Sequence, residues 1–201
     1  VGAAHAFKLG GTTDIAVCFF GDGATNRGPF LEALNWAQVY QLPVLFVCED
    51  NQMSATTATL PMTAGPGASA RARALGIAST QVDGNDVQAV SQAAAQLIDA
   101  VRAGHGPRML HAMTFRQKGH VSVDPGTYRD PAEVAAGMQR DPIARTRAQL
   151  LAQGLQADVA ALEAAEQQEI NAAIEAAQAA PYPAPESAYD NITTTGAGVW
   201  K

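Results

Sequence analysis

The sequence predicts an α/β protein: a doubly wound, mainly parallel sheet followed by a C-terminal helical extension. Three observations carry that expectation. Two apolar runs, residues 15–20 and 44–48, are each bounded by turn residues, as buried parallel strands are. A helical pattern lies between them, so strand, helix and strand fit one crossover. Beyond them, helical and strand-like stretches go on alternating to residue 115, and residues 131–180 read as helix.

The elements follow in order. Residues 2–9 have a helical pattern, ended by Gly10-Gly11. The first strand stops at Gly21-Asp22-Gly23. The helix over 29–40 starts with Pro29 in its first turn and puts Phe30, Ala33, Leu34 and Ala37 on one face. Pro43 stops it before the second strand. A short helix over 67–78, a strand over 80–83, a helix over 86–103 with Asp86 near its start, and a strand over 108–115 complete the alternation. A loop rich in glycine and charge runs from 115 to 130, and its 117–128 stretch is expected to be mobile without a ligand. Helices follow over 131–139, 142–153 and 156–180. The tail, 181–201, opens with three prolines in five residues and reads as extended. No internal repeat is present.

Composition narrows the function class. The chain has 201 residues, a net charge of −6 and 47% hydrophobic residues. Alanine supplies about a fifth of the chain, so large apolar side chains are scarce and small ones fill the helices. The acidic balance argues against nucleic acid as a partner. No apolar run approaches the roughly 18 residues of a membrane span. Cys18 and Cys48 are too few for a disulfide framework, and both lie in strand-like runs, which predicts buried thiols and a reducing cytoplasm. The sequence opens on Val1 inside a helical pattern, and the expectation is that an N-terminal part is missing.

Two residues carry the chemistry. Asp22 follows the first strand and Asn51 the second, 29 positions on. Parallel strands joined by one crossover end on the same sheet edge, where open α/β sheets bind ligands. A carboxylate and an amide oxygen meeting there suit Mg²⁺, which keeps its other positions for phosphate and water. Gly21 and Gly23 allow a phosphate to approach the backbone closely. Taken singly, Asp22 reads equally well as a helix cap. Asn26 is either a diphosphate contact or a turn residue. His120, alone, reads as an exposed loop histidine; its neighbours Arg116, Lys118 and Arg129 make a cationic cluster for a diphosphate or a substrate carboxylate. His5, His105 and His111 read as structural or surface groups. The helix over 156–180 reads as packing or subunit contact.

The ordered series Gly21-Asp-Gly-Ala-Thr-Asn-Arg-Gly28, Glu32-Ala-Leu-Asn35, Leu42-Pro-Val44, Cys48-Glu-Asp-Asn51, Val82-Asp-Gly-Asn-Asp86, Gly106-Pro107, Phe115-Arg116, Gly119-His120, Asp124-Pro-Gly126, Tyr128-Arg129 and Asp141-Pro-Ile143 resembles a known family. It is that of the α subunits of thiamine-diphosphate-dependent 2-oxo acid and acetoin dehydrogenases, the pyruvate dehydrogenase first-component type. The resemblance implies the thiamine diphosphate-binding fold, with residues 1–140 as the diphosphate and Mg²⁺ domain and 141–201 as its helical region and tail. It implies Mg²⁺ ligation by Asp22, Asn51 and the carbonyl of Met53. It implies cofactor contacts from Gly21, Asp22, Gly23, Ala24, Asn51 and His120, with His120 as the catalytic residue.

The resemblance also implies partners. A family glutamate activates the cofactor, yet only 20 residues precede Gly21 and the first glutamate is Glu32. That carboxylate is expected from a separate β subunit, in an α2β2 assembly active only when paired. The family's additional N-terminal region has no counterpart in the chain. The implied reaction is oxidative decarboxylation of a 2-oxo acid, or cleavage of acetoin, with acyl transfer to a lipoyl group on a transacylase. The rival readings are a truncated, inactive assembly module and one domain of a transketolase- or decarboxylase-like enzyme.

Three positions depart from the family pattern. Asp50 stands where Asn is usual, placing a second carboxylate beside a diphosphate site. The expectation is that Asp50 points away and braces its turn. Met53-Ser54 replaces Tyr-Gly, which a backbone ligand tolerates. Lys118-Gly119-His120 replaces His-Gly-His, and Val121 takes the place of a serine that some eukaryotic relatives phosphorylate.

Overall fold

The computed structural model describes residues 1–190. Two compact units are present, Val1–Gln149 and the part from Leu150 onward. The strands in chain order are β1 (Ala16–Gly21), β2 (Val44–Asp50), an antiparallel pair β3 (Met53–Ser54) and β4 (Thr57–Ala58), β5 (Ala78–Asp83) and β6 (Arg108–Met113). The helices are α1 (Gly2–Gly10), α2 (Gly28–Val39), α3 (Ala68–Ala74), α4 (Val87–Arg102), α5 (Pro131–Met138), α6 (Pro142–Ala152) and α7 (Gln156–Ala179). The four longer strands are all parallel, in the order β1-β2-β6-β5.

Alternation along β2 explains why helices cover both faces. Successive strand residues point to opposite sides. Val44, Phe46 and Cys48 pack with Phe30, Leu34 and Ala37 of α2 and with Ala68 and Ala72 of α3. Leu45 and Val47 turn the other way and pack with Ala93 and Leu97 of α4. The sheet is therefore doubly wound, as expected. Leu34 is fully buried, and its truncation to alanine costs about 2–5 kcal/mol through lost burial and the cavity left behind.

Element ends follow local chemistry. α1 stops at Gly11, whose φ of 65° is the left-handed conformation glycine tolerates. Asp86 caps α4, its carboxylate accepting from the amides of Gln88 and Ala89. Asp130 caps α5 in the same way through Ala132, with Pro131 as the first helical residue. α7 ends at Ala179, just before Pro181. Its apolar residues Leu162, Ile170 and Ile174 are exposed. In the tail, Pro185–Tyr189 forms a 3-10 turn rather than extended chain, and residues 191–201 lie outside the described residues.

β1 departs from expectation. Its apolar run predicts a buried strand, yet Val17 is 43% and Phe19 66% exposed, and Cys18 is exposed rather than buried. The reason is position: β1 is an edge strand of the described sheet, with β2 as its one neighbour. An apolar run does not distinguish centre from edge. Cys48, in the central β2, is buried as expected, and burial pushes its thiol up to about 12. Among the described residues no helix is long and apolar enough to cross a membrane.

Candidate functional site

Three connections leave the carboxyl edge of the sheet and build the site. After β1, residues 22–26 wind into a tight 3-10 turn. Asp22 is 5% exposed at its start. The Thr25 hydroxyl donates back to the Asp22 carbonyl at 2.7 Å, and Arg71 of α3 donates to the Thr25 carbonyl. Asn26 donates to the Met62 carbonyl and the Thr63 hydroxyl, so in this structure it ties the turn to the segment after β4.

After β2, the chain makes two successive side-chain-closed turns. Asp50 Oδ1 accepts from the Gln52 amide, and Asn51 Oδ1 accepts from the Met53 amide, both at 3.0 Å. Gln52 has a φ of 62°, the left-handed conformation that lets the chain reverse into the β3–β4 pair. Gly21 pairs with Glu49 in the parallel register, which sets Asp22 beside Asp50. The return from β4 brings Thr59 over the site. Its amide donates to the Gln52 carbonyl and its hydroxyl to Asp22 Oδ2.

Gly23 has a packing reason as well as a chemical one. A Cβ built there would lie 2.5 Å from Ser54 Oγ and 2.8 Å from Ser54 Cβ. The glycine is therefore what lets the 22–26 turn close against the β3–β4 pair. Ala24 is exposed.

The electrostatics favour a cation. Burial raises the Asp22 carboxyl above the ordinary carboxylate range, and the Asp50 charge adds to it; the Thr59 hydroxyl and the Asn51 amide oppose it. A buried carboxylate beside a second one, with amide and carbonyl oxygens on the next turn, is hard-oxygen chemistry that fits Mg²⁺.

A cavity of about 210 Å³ opens between Asp22, Asp50, Gln52 and Thr59 on one side and Gly67, Gln81 and His111 on the other. Of the residues predicted for the site, Asp22 lines it; Gly21, Gly23, Ala24, Asn51, Met53 and His120 do not. His111 is the residue that sequence reasoning passed over. It is 2% exposed, with Nε2 2.8 Å from Asp50 Oδ2 and Nδ1 3.1 Å from the Ser69 hydroxyl. Asp50 thus braces its turn as expected, but it does not point away: it lines the cavity that Asp22 also lines, with Oδ2 on His111.

After β6 comes the cationic loop. Asp124 organises it, accepting from the amides of His120 and Gly126 and from the Tyr128 hydroxyl. The two amide bonds hold its carboxyl below the ordinary range. Arg116 donates to Tyr128 and to the Ala55 carbonyl, which ties the loop to the β3–β4 connection. Gly119 sits against Asp124, where a Cβ would meet the Asp124 carbonyl oxygen at 2.3 Å. The His120 side chain is exposed, while Arg129 stacks over Phe115 at 4.8 Å.

Comparison with known proteins shows the family. The family described as dehydrogenase E1 component matches residues 1–186. The chain is 38% identical over 147 residues to the pyruvate dehydrogenase E1 component subunit alpha of Porphyra purpurea, covering 73% of this chain and 43% of that one. It is 36% identical over 193 residues to the Zymomonas mobilis protein of the same name, covering 95% and 54%. It is 37% identical over 195 residues to the mitochondrial form from Dictyostelium discoideum, covering 95% and 51%. The chain spans about half the length of the curated relatives it matches. On the matched family, the parallel doubly wound sheet and the Asp22 and Asn51 turns at its carboxyl edge, the chain belongs to the α-subunit branch of the dehydrogenase E1 component family.

Proposed function

We propose that the chain supplies the Mg²⁺–diphosphate half of a thiamine diphosphate site in a 2-oxo acid dehydrogenase, with pyruvate as substrate. The observation that carries the reading is the meeting of Asp22 and the Asn51–Met53 turn at the ends of adjacent parallel strands, with Asp22 buried. Asp22, the Asn51 amide oxygen and the Met53 carbonyl are the ligands assigned to Mg²⁺. The amides of Gly23 and Ala24 would hold the diphosphate. When bound, thiamine diphosphate supplies the electron sink for cleaving the bond between a carbonyl carbon and a carboxylate.

The chain's own residues do the rest. The Thr59 hydroxyl donates to Asp22 Oδ2 and so holds the carboxylate that would ligate the metal. Asn51 Oδ1 accepts from the Met53 amide and keeps a second lone pair that could ligate the metal. Asp124 holds the backbone at His120, so the imidazole is presented from a closed loop and moves a proton during acyl transfer. Decarboxylation releases CO₂; the lipoyl disulfide of a transacylase is reduced, one sulfur ending acylated and the other as a thiol. A β subunit in an α2β2 assembly provides the activating glutamate. The free cysteines Cys18 and Cys48 fit a reducing compartment such as the cytoplasm.

The test is reconstitution with a β subunit, followed by titration with thiamine diphosphate and Mg²⁺ and a panel of pyruvate, branched-chain 2-oxo acids and acetoin. Mg²⁺-dependent binding and lipoyl acylation from pyruvate are expected. Absence of binding with β and Mg²⁺ present would favour an inactive assembly module.

A further inference from the structure

Asp50 poses a problem for a diphosphate site, and the structure holds an answer in the strand beside it. The Asp50 carboxylate lines the same cavity as Asp22. Left free there, it would compete with Asn51 for the metal or repel a phosphate. Neither of its oxygens is free. Oδ1 closes the turn onto the Gln52 amide, and Oδ2 meets His111 Nε2 at 2.8 Å.

His111 is itself held. It lies on β6, in register with Cys48 of β2 and Gln81 of β5, between two paired strands. The Ser69 hydroxyl of α3 reaches Nδ1 at 3.1 Å, and Ser79 of β5 donates to Ser69 at 2.8 Å. Since a carboxylate only accepts, Nε2–H donates to Asp50, while Ser69, itself bonded by Ser79, holds the other ring nitrogen. Ser69 is fully buried and His111 nearly so, and both ring nitrogens have protein partners. The Asp50 carbonyl is fixed as well, accepting from the Thr114 amide at 2.7 Å.

We propose that His111 is a positioning residue for the metal site: it holds the Asp50 carboxylate off the Mg²⁺–diphosphate position and so keeps the turn carrying Asn51 and Met53 in register with Asp22. The inference rests on the function proposed above. It assigns a role to the one buried histidine of the described residues. Such partners behind a ligating turn commonly shift metal affinity 10- to 100-fold when removed.

The test is a set of variants in the chain reconstituted with its β subunit, read by calorimetric titration of Mg²⁺ and thiamine diphosphate. H111L, which fills the space but frees Asp50, is expected to weaken Mg²⁺-dependent binding at least tenfold. H111Q, which keeps a donor towards Asp50, is expected to stay closer to the parent than H111L. D50N/H111L is expected to return to within threefold of the parent, because the carboxylate needing restraint is gone. A role in packing alone would not be rescued by D50N. If H111L does not fold, S69A carries the same test: a loss of about threefold that D50N restores. Parent-like binding in H111L, or a loss that D50N does not restore, would overturn the inference while leaving the proposed function standing. A parent complex that takes up no Mg²⁺ and thiamine diphosphate would overturn the proposed function, and this inference with it.

Discussion

Two connections on the same sheet edge carry site residues, and they hold them by opposite means. The turn after β1 buries Asp22 and fixes it through tertiary contacts: Thr59 from beyond β4, the amide of Asn51 and the packing of Gly23 on Ser54. The loop after β6 leaves His120 exposed and fixes it locally, through one carboxylate, Asp124, that gathers two amides and a hydroxyl. The difference fits the tasks proposed for the two residues. A metal ligand needs a set geometry and gains from a dry surrounding. A group that meets a partner's lipoyl arm needs access. On the proposed function, burial belongs to the anchor, and exposure to the step that meets another protein.

Substitutions separate the two regions. The largest effect is expected from D22A, which removes the buried carboxylate: Mg²⁺-dependent binding of thiamine diphosphate should fall on the order of 100-fold, measured by calorimetry. H120A should leave that binding within about threefold while lipoyl acylation falls by tens of fold or more, the range of a lost proton-transfer group. Equal loss of both would erase the contrast. G23A tests packing alone. Its Cβ meets Ser54, so thermal or urea unfolding should show a loss of about 1–3 kcal/mol, with partial recovery in G23A/S54G.

The smallest effect is a pH dependence of the loop. Asp124 has a depressed pKa in the folded chain, so its contribution is complete above the ordinary carboxylate pKa of about 3.9 and disappears as pH falls through the lowered folded value. Proteolysis between Lys118 and Arg129 should therefore rise on acidification only below about pH 4. D124N should show the higher rate at neutral pH. The turn around Asp22 should show no such local opening.

The sheet and the metal turns were legible because they depend on local signals. Alternating helical and strand-like patterns gave the double winding, and the Gly21–Gly28 and Cys48–Asn51 stretches marked the two strand ends. The hidden parts depend on contacts between distant residues. β1 reads as a buried strand because an apolar run carries no information on how many neighbours it has. His111 stands in an apolar strand with nothing beside it in sequence to mark it, and its partner Asp50 is 61 residues away. Thr59 lies in a run of threonine and alanine with no motif, yet it donates to Asp22. The two-residue strands β3 and β4 are too short for an alternation to show; the left-handed φ of Gln52 and Ala55 is what shapes them.

The central claim is the ligand set at the end of β1 and β2. Mn²⁺ substituted for Mg²⁺ in crystals of the reconstituted complex with thiamine diphosphate tests it by anomalous scattering. The account predicts one peak at about 2.1–2.2 Å from an Asp22 carboxylate oxygen, Asn51 Oδ1 and the Met53 carbonyl, with Asp50 still on His111. A peak between Asp22 and Asp50, out of reach of Asn51 Oδ1, would contradict it.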